Sequence, residues 1–127
     1  MTPRAMPPSP TRQRARRYGQ RAETLCALVL MLKGYRVLAR DFRVPSGEID
    51  IVARRAGTVV FVEVKARAGA GGRDAITARQ RRRIVRAAEA FLQRRPALAA
   101  HGIRFDVMVV DGLRLPEHIV DAWRPEA

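Results

Sequence analysis

The chain has 127 residues, 47% of them hydrophobic, which suits one compact domain with its own core and excludes a disordered chain. Its net charge is +13, from 25 basic residues against 12 acidic ones, so it repels itself unless a polyanion or an anionic surface neutralises it; nucleic acid is the leading expected partner. The single cysteine, Cys26, excludes an internal disulfide, and no apolar run approaches the ~20 residues of a membrane span.

These features lead us to expect a soluble, cytoplasmic protein. The N-terminus carries positive charge but no apolar segment of a secretory signal. Of the basic residues, 23 are arginine and two, Lys33 and Lys65, are lysine. A coding bias explains arginine over lysine. It does not explain the shortage of acids.

Residues 1–16 hold four prolines and no acid, and read as a flexible basic arm before a single domain at 17–127. From Arg17 the pattern turns helical, with Ala22, Leu25, Cys26, Val29 and Leu32 at three- and four-residue steps and Gly34 as the stop. Strands are predicted at 35–44, 48–54 and 59–66, separated by turns at Pro45-Ser46-Gly47 and at 55–58. Residues 67–75 read as a loop, with the GAGG of 69–72 a mobile flap rather than a nucleotide fingerprint. A second helix follows at 76–95, its buried stripe being Ile84, Ala88, Phe91 and Leu92. A fourth strand is predicted at 103–110. The tail around LPEHIVDAW reads equally as a strand or a helical turn. The order α-β-β-β-α-β makes this a mixed α/β fold.

The hairpin formed by the second and third strands concentrates the chemistry. A turn symmetric about Ala56 and Gly57 sets Arg54 against Val59, Val52 against Phe61, Asp50 against Glu63 and Glu48 against Lys65. Side chains alternate faces along a strand, so Glu48, Asp50, Glu63 and Lys65 are expected on one surface. Ile49, Ile51, Val62 and Val64 are expected on the other. Two opposed acids destabilise a strand pair unless a cation lies between them, and hard oxygen donors suit Mg²⁺ or Mn²⁺. Such an ion polarises a phosphate and generates hydroxide at neutral pH. Lys65, in so arginine-rich a background, points to a need for a compact ammonium that holds water or a phosphate oxygen. The competing reading is a solvent-facing salt-bridge ladder, Glu48 with Lys65 and Asp50 with Arg54 or Arg67.

Glu23, beside the apolar stripe of the first helix, reads either as a further ligand of that carboxylate cluster or as a half-exposed partner of Arg16 or Gln20. Asp106 reads as structural, paired with Arg104 or another arginine. Arg79, Arg81, Arg82, Arg83 and Arg86 cluster in the first turns of the second helix, where phosphates are expected to bind. His101 and His118 stand apart without a second cysteine, which argues against zinc. Ser9 and Ser46 have no histidine base nearby in sequence. Cys26 and Trp123 read as packing residues.

These residues resemble a known pattern. The acid Asp50, the later Glu63-Val64-Lys65 on a strand and a preceding helix glutamate look like the PD-(D/E)XK nucleases of the restriction-endonuclease-like superfamily. The chain is similar to the YraN family of predicted endonucleases, kin in pattern to archaeal Holliday-junction resolvases. The matching stretches are GQRAETLCA from Gly19, KGYRVL from Lys33, FRVPSGEIDIVA from Phe42, VFVEVKAR from Val60, ITARQRRRI from Ile76 and RFDV from Arg104.

The resemblance implies a mixed central sheet flanked by helices and a Mg²⁺- or Mn²⁺-dependent hydrolysis of phosphodiester bonds, with branched or distorted DNA as the expected substrate. By position it makes Asp50, Glu63 and the Val64 carbonyl metal ligands, Lys65 the lysine and Glu23 the helix glutamate, with Glu48 and Gln80 in support. Asp41 stands where many members have Asn, Gln80 where many have Lys, and Ile49 where the superfamily name has Pro. A homodimer would suit a branched substrate. The rival expectations are a nucleic-acid-binding module that kept the fold without the chemistry, and a structural partner of an RNA-bound assembly.

Overall fold

The computed structural model describes residues 10–67, 76–112 and 114–125, with side chains from Gly19 onward and without that of Arg67. Along the chain these form α1 (Pro10–Leu32), β1 (Arg36–Val44), β2 (Gly47–Arg55), β3 (Thr58–Arg67), α2 (Ala78–Gln93), a short 3-10 turn (Pro96–Leu98), β4 (Gly102–Asp111) and β5 (Glu117–Trp123). The five strands make one sheet in sequence order. β3 and β4 run parallel across the α2 crossover, and every other neighbouring pair is antiparallel. The mixed α/β architecture expected from the sequence is present, with β5 as an added strand that settles the ambiguous tail.

The helices cover opposite faces of the sheet. Ala22, Cys26, Ala27 and Leu30 of α1 pack on Ile51, Ala53, Val60, Val62, Met108 and Val110. Ile84, Ala87, Ala88 and Phe91 of α2 pack on Ile49, Val52, Val59, Phe61, Phe105 and Val107. Burial on both faces explains why β3 and β4 read as nearly continuous apolar runs. The expected α1 stripe is rotated by the real packing: Leu30 is fully buried, while Leu32 is 87% exposed. Two residues along a helix turn a side chain through about 200°, so a helix that buries Leu30 must expose Leu32.

Local chemistry fixes the element ends. α1 begins at Pro10, seven residues before the expected start, so residues 10–16 of the expected arm are helical. Proline is pre-organised for the first helical position, and the Gln, Arg and Ala that follow are good helix formers. Residues 1–9 of that arm, and the flap at 69–72, lie outside the described residues. α1 ends as expected at Gly34, whose φ of +90° allows Tyr35 N–H to bond Leu30 C=O at 2.9 Å and Gly34 N–H to bond Met31 C=O at 3.1 Å. Thr77 and Gln80 form a reciprocal capping box at the start of α2: Thr77 Oγ1 accepts from Gln80 N–H at 3.1 Å and Gln80 Oε1 from Thr77 N–H at 3.0 Å. Gln80 therefore supports the helix that carries the arginines.

The β2–β3 hairpin has the expected register as far as Ile51 opposite Val62. There the ladder stops. Val64 N–H donates instead to Asp50 Oδ2 at 2.7 Å, so a carboxylate takes the place of a strand carbonyl where the two strands part. The expected alternation fails at the same point. Ile49 joins the α2-side core and Ile51 the α1-side core, although residues two apart in a regular strand share a face. On β1 the partners of these two are Phe42 and Arg40, and Asp41 between them has a left-handed φ of +50°. The break in β2 thus coincides with a break in its neighbour, directly beside Asp50.

Candidate active site

Asp50 and Glu63 meet at this parting of the strands. Their carboxyl groups share a hydrogen bond, and Lys65 Nζ lies 3.8 Å from Glu63 Oε1. The Lys65 and Glu63 side chains are only 21% and 19% exposed, so the group is withdrawn from bulk water. Burial pushes Glu63 up, and the Asp50 charge pushes it further, to about 8, against the opposing pull of Lys65. Burial also raises Asp50, although the Val64 N–H bond, the Glu63 hydrogen bond and Lys65 all favour its charged form. Two acids placed together out of water each make the other's charge costlier, so both carboxyls are raised. Of the four residues that the sequence set on one surface, Asp50, Glu63 and Lys65 are therefore brought together.

Glu48 is not part of this group. The sequence set it opposite Lys65, but it bonds Arg83 of α2, with Arg83 Nη2 2.7 Å from Oε2 and Nε 3.3 Å from Oε1. That hydrogen bond holds its carboxyl below the usual range. The cause is the closeness of β2 to α2 at Gly47, where any Cβ would collide with the Arg83 carbonyl. Glu48 thus anchors the strand to the helix, and the salt-bridge ladder with Lys65 does not form.

Glu23 faces the cleft from α1 but is turned onto Arg40, with Arg40 Nε 3.4 Å from Oε1, while Arg40 Nη2 bonds Thr24 Oγ1 at 2.8 Å. Burial and then the Asp50 charge raise its carboxyl. Asp50, Glu23 and Val64 share a cleft of about 650 Å³ with Gln20, Asp41 and Arg43. Asp41 and Arg43 pair at 2.8 Å. These last two were missed as site residues, although a signal existed: symmetry about the turn after Val44 sets Asp41 against Asp50, as the register between Arg40–Ile51 and Phe42–Ile49 has it.

The donors that could hold a cation are few and of one chemical kind. Among the described residues no three His, Cys, Asp or Glu side chains converge on one point. Two carboxylates do, and the backbone adds a third oxygen. In an extended strand the N–H and C=O of one residue point to the same side, so the Val64 carbonyl faces the gap into which its N–H donates. Hard oxygens in this number fit Mg²⁺ or Mn²⁺, which keep several waters of their own.

The five arginines of α2 do not form one face. Arg83 is taken by Glu48. Arg81 lies over the Trp123 ring, 5.6 Å from its centroid. With Arg82, Arg86 and Arg124 it lines a cavity apart from the acidic cleft, and Arg79 is exposed outside that cavity. Helix geometry causes the division, since residues 81 and 83 sit about 200° apart around the axis.

Asp106 is fully buried on β4 and pairs with Arg104, as expected. It accepts from Arg104 Nε and Nη2, both at 2.8 Å, from Asp121 N–H at 2.9 Å and from His118 Nε2 at 2.7 Å. His118, which the sequence left isolated, therefore carries its proton on Nε2, and its Nδ1 accepts from Lys33 Nζ at 3.1 Å. Cys26 is fully buried, and its thiol is pushed up to about 12 by burial, as befits a packing residue. Among the described residues no helix is long and apolar enough to cross a membrane.

Comparison with known proteins gives the lineage. Residues 22–110 match the model of the uncharacterised protein family UPF0102. A UPF0102 protein of Paramagnetospirillum magneticum is 52% identical over 93% of this chain and 95% of its own length. Similar proteins of Parvibaculum lavamentivorans and Rhodopseudomonas palustris are each 51% identical, over 87% and 92% of this chain and 84% and 90% of their own lengths. The matched span runs from Ala22 of α1 to Val110 of β4 and contains Glu23, Asp41, Asp50 and Glu63, so the chain belongs to the UPF0102 family.

Proposed function

We propose that this protein is a metal-dependent endonuclease acting on DNA, branched or otherwise structured DNA above all, and that it stands with the YraN proteins in the restriction-endonuclease-like PD-(D/E)XK superfamily. One observation carries the reading. In a chain of net charge +13, two carboxylates meet out of bulk water at a break in the sheet, beside one of its two lysines. A packed core gains nothing from that arrangement, whereas a cation removes its cost.

Asp50, Glu63 and the Val64 carbonyl are the residues that would hold Mg²⁺ or Mn²⁺; such an ion polarises a phosphate oxygen and lowers the pKa of water. The chain's own residues supply the rest. Glu63 would have to be ionised to hold such an ion. Lys65, 3.8 Å from Glu63, holds the attacking water or a phosphate oxygen with a compact positive charge. Asp50, fixed by the Val64 N–H, keeps its carboxylate in the gap. Glu23 tunes the field of the cleft from α1, and Arg43 at its edge meets the strand's phosphates. Residence in the cytoplasm and a homodimer on a two-fold branched substrate complete the proposal.

The test is cleavage of labelled junctions, flaps and linear duplex with Mg²⁺ or Mn²⁺, on wild type and Lys65→Ala. Cutting by wild type that Lys65→Ala loses supports the proposal. Calorimetry with Mn²⁺ on wild type and Asp50→Ala tests the centre itself; no heat from either removes the enzyme reading. A specific observation favours a second reading, a binding module without chemistry: Glu23 is committed to Arg40, and no third carboxylate joins the pair among the described residues. Salt-sensitive binding without cleavage would select it.

A further inference from the structure

α2 and β5 enclose a second cavity of about 620 Å³, lined by residues of α2 and of the segment Trp123–Pro125. The acidic cleft is lined from α1, so the two cavities lie against different helices on opposite faces of the sheet. Among the described residues four arginines line it, Arg81, Arg82, Arg86 and Arg124, and one acid, Glu89. Arg124 is bonded to Asp121 at 2.8 Å, whereas Arg82 and Arg86 have no ion-pair partner among the described residues.

Unsatisfied donors stand in its wall. Trp123 is only 6% exposed, and its indole Nε1–H has no hydrogen-bond acceptor among the described residues. The same is true of Arg81 Nε, on the guanidinium that lies over the Trp123 ring. A buried donor without an acceptor costs about 1–3 kcal/mol, so two adjoining ones need explaining. Among the described residues no hydrogen bond reaches either nitrogen. An arginine stacked on indole, with its Nε unbonded, can turn toward an anion that enters.

We propose that this cavity is a nucleotide-binding subsite that takes the terminal phosphate of a nucleic-acid strand. This rests on the reading of the protein as one that handles nucleic acid. Two unpaired guanidinium forks match the oxygens of a phosphate, and Arg81 and Arg124 add positive charge to the same wall. Val85 offers the apolar surface against which the attached nucleoside rests, and the volume lies within the range of small-ligand sites. A recessed site reads a strand end, since an internal phosphate of a duplex stays on the convex outside of the helix.

Trp123 is the only tryptophan of the chain, so its emission reports on this cavity alone. The probes are inorganic phosphate, a free nucleoside 5′-monophosphate, a short single-stranded oligonucleotide with a 5′-phosphate, the same oligonucleotide with a 3′-phosphate, and the unphosphorylated oligonucleotide. All are titrated in chelator, so that neither metal nor cleavage enters. We expect a saturable change in emission with one phosphorylated oligonucleotide and at least tenfold weaker binding without the phosphate. Saturation by the free monophosphate at equal affinity would instead mark a free nucleotide as the ligand. Arg82→Ala/Arg86→Ala should weaken binding at least tenfold, whereas Arg36→Ala/Arg54→Ala, which removes the same charge elsewhere, should change it less than twofold. Trp123→Phe, followed by calorimetry, should weaken it a few-fold. Equal binding with and without the phosphate, equal loss in both double variants, or no change in emission would each overturn the proposal. None of these outcomes depends on whether the acidic cleft cuts DNA.

Discussion

Asp106 and Asp50 are both withdrawn from water, and the fold treats them in opposite ways. Asp106 accepts four hydrogen bonds from Arg104, His118 and the Asp121 backbone. Burial alone would raise its carboxyl; those bonds more than offset it and hold it down to about 2. Asp50 accepts from one backbone N–H and faces a second acid. Its partner Glu63 is driven up to about 8. A carboxylate that the fold needs is given donors. A carboxylate left short of them beside a like charge is a candidate for function.

The largest effect should come from breaking the satisfied acid. Asp106→Ala leaves Arg104 and His118 without their acceptor in the core, and removing one partner of a buried pair costs about 3–5 kcal/mol. Urea unfolding followed by circular dichroism measures it. Asp50→Asn and Glu63→Gln should behave in the opposite sense, relieving the repulsion and leaving stability unchanged or raised. Each should nevertheless lower cleavage by more than the ~10–100-fold that follows from disturbing a residue that merely supports a ligand. If either substitution unfolds the protein as Asp106→Ala does, the contrast between the two sites is lost.

The pH dependence sharpens the contrast, because the two sites have opposite signs. Glu63 is raised, so the folded chain binds the extra proton. Its stabilising contribution is complete below the ordinary value of 4.5 and is lost as pH rises through about 8. Asp106 is depressed, so its contribution is complete above 3.8 and is lost as pH falls through about 2. Unfolding free energies from pH 5 to pH 9 should therefore decline for wild type and flatten for Glu63→Gln. Mn²⁺ affinity should rise over the same interval by up to about tenfold per pH unit, since the ion displaces the Glu63 proton.

The smallest effect is expected at Glu23, whose partner Arg40 is largely exposed. Exposed ion pairs contribute about 0–1 kcal/mol. Glu23→Gln should change stability by less than that and lower cleavage only a few-fold. A loss as large as that of Asp50→Asn would make Glu23 a ligand instead of a neighbour that tunes the field.

The order of elements was legible because periodicity and turn residues are local signals. The two-residue turn at Ala56-Gly57 fixed the hairpin register as far as Ile51 opposite Val62, which brings Asp50 and Glu63 to the point where the strands part. The capping box of Thr77 and Gln80 was equally local, and the T-x-x-Q spacing that announces it was overlooked. Glu48 was misplaced because its partner Arg83 lies 35 residues away on a helix whose approach depends on Gly47. The five arginines of α2 could be counted in the sequence but not divided, since their partners Glu48 and Trp123 come from β2 and β5.

The sequence by itself determined the order of the elements from α1 to β4 and the pairing of β2 with β3 as far as Ile51 and Val62, because each depends on residues close along the chain. Tertiary structure alone decided where the ladder opens at Asp50, which acids are supplied with donors and which are left to repel. Those outcomes depend on burial and on partners that only packing brings together, and electrostatic energies are set by distance in space.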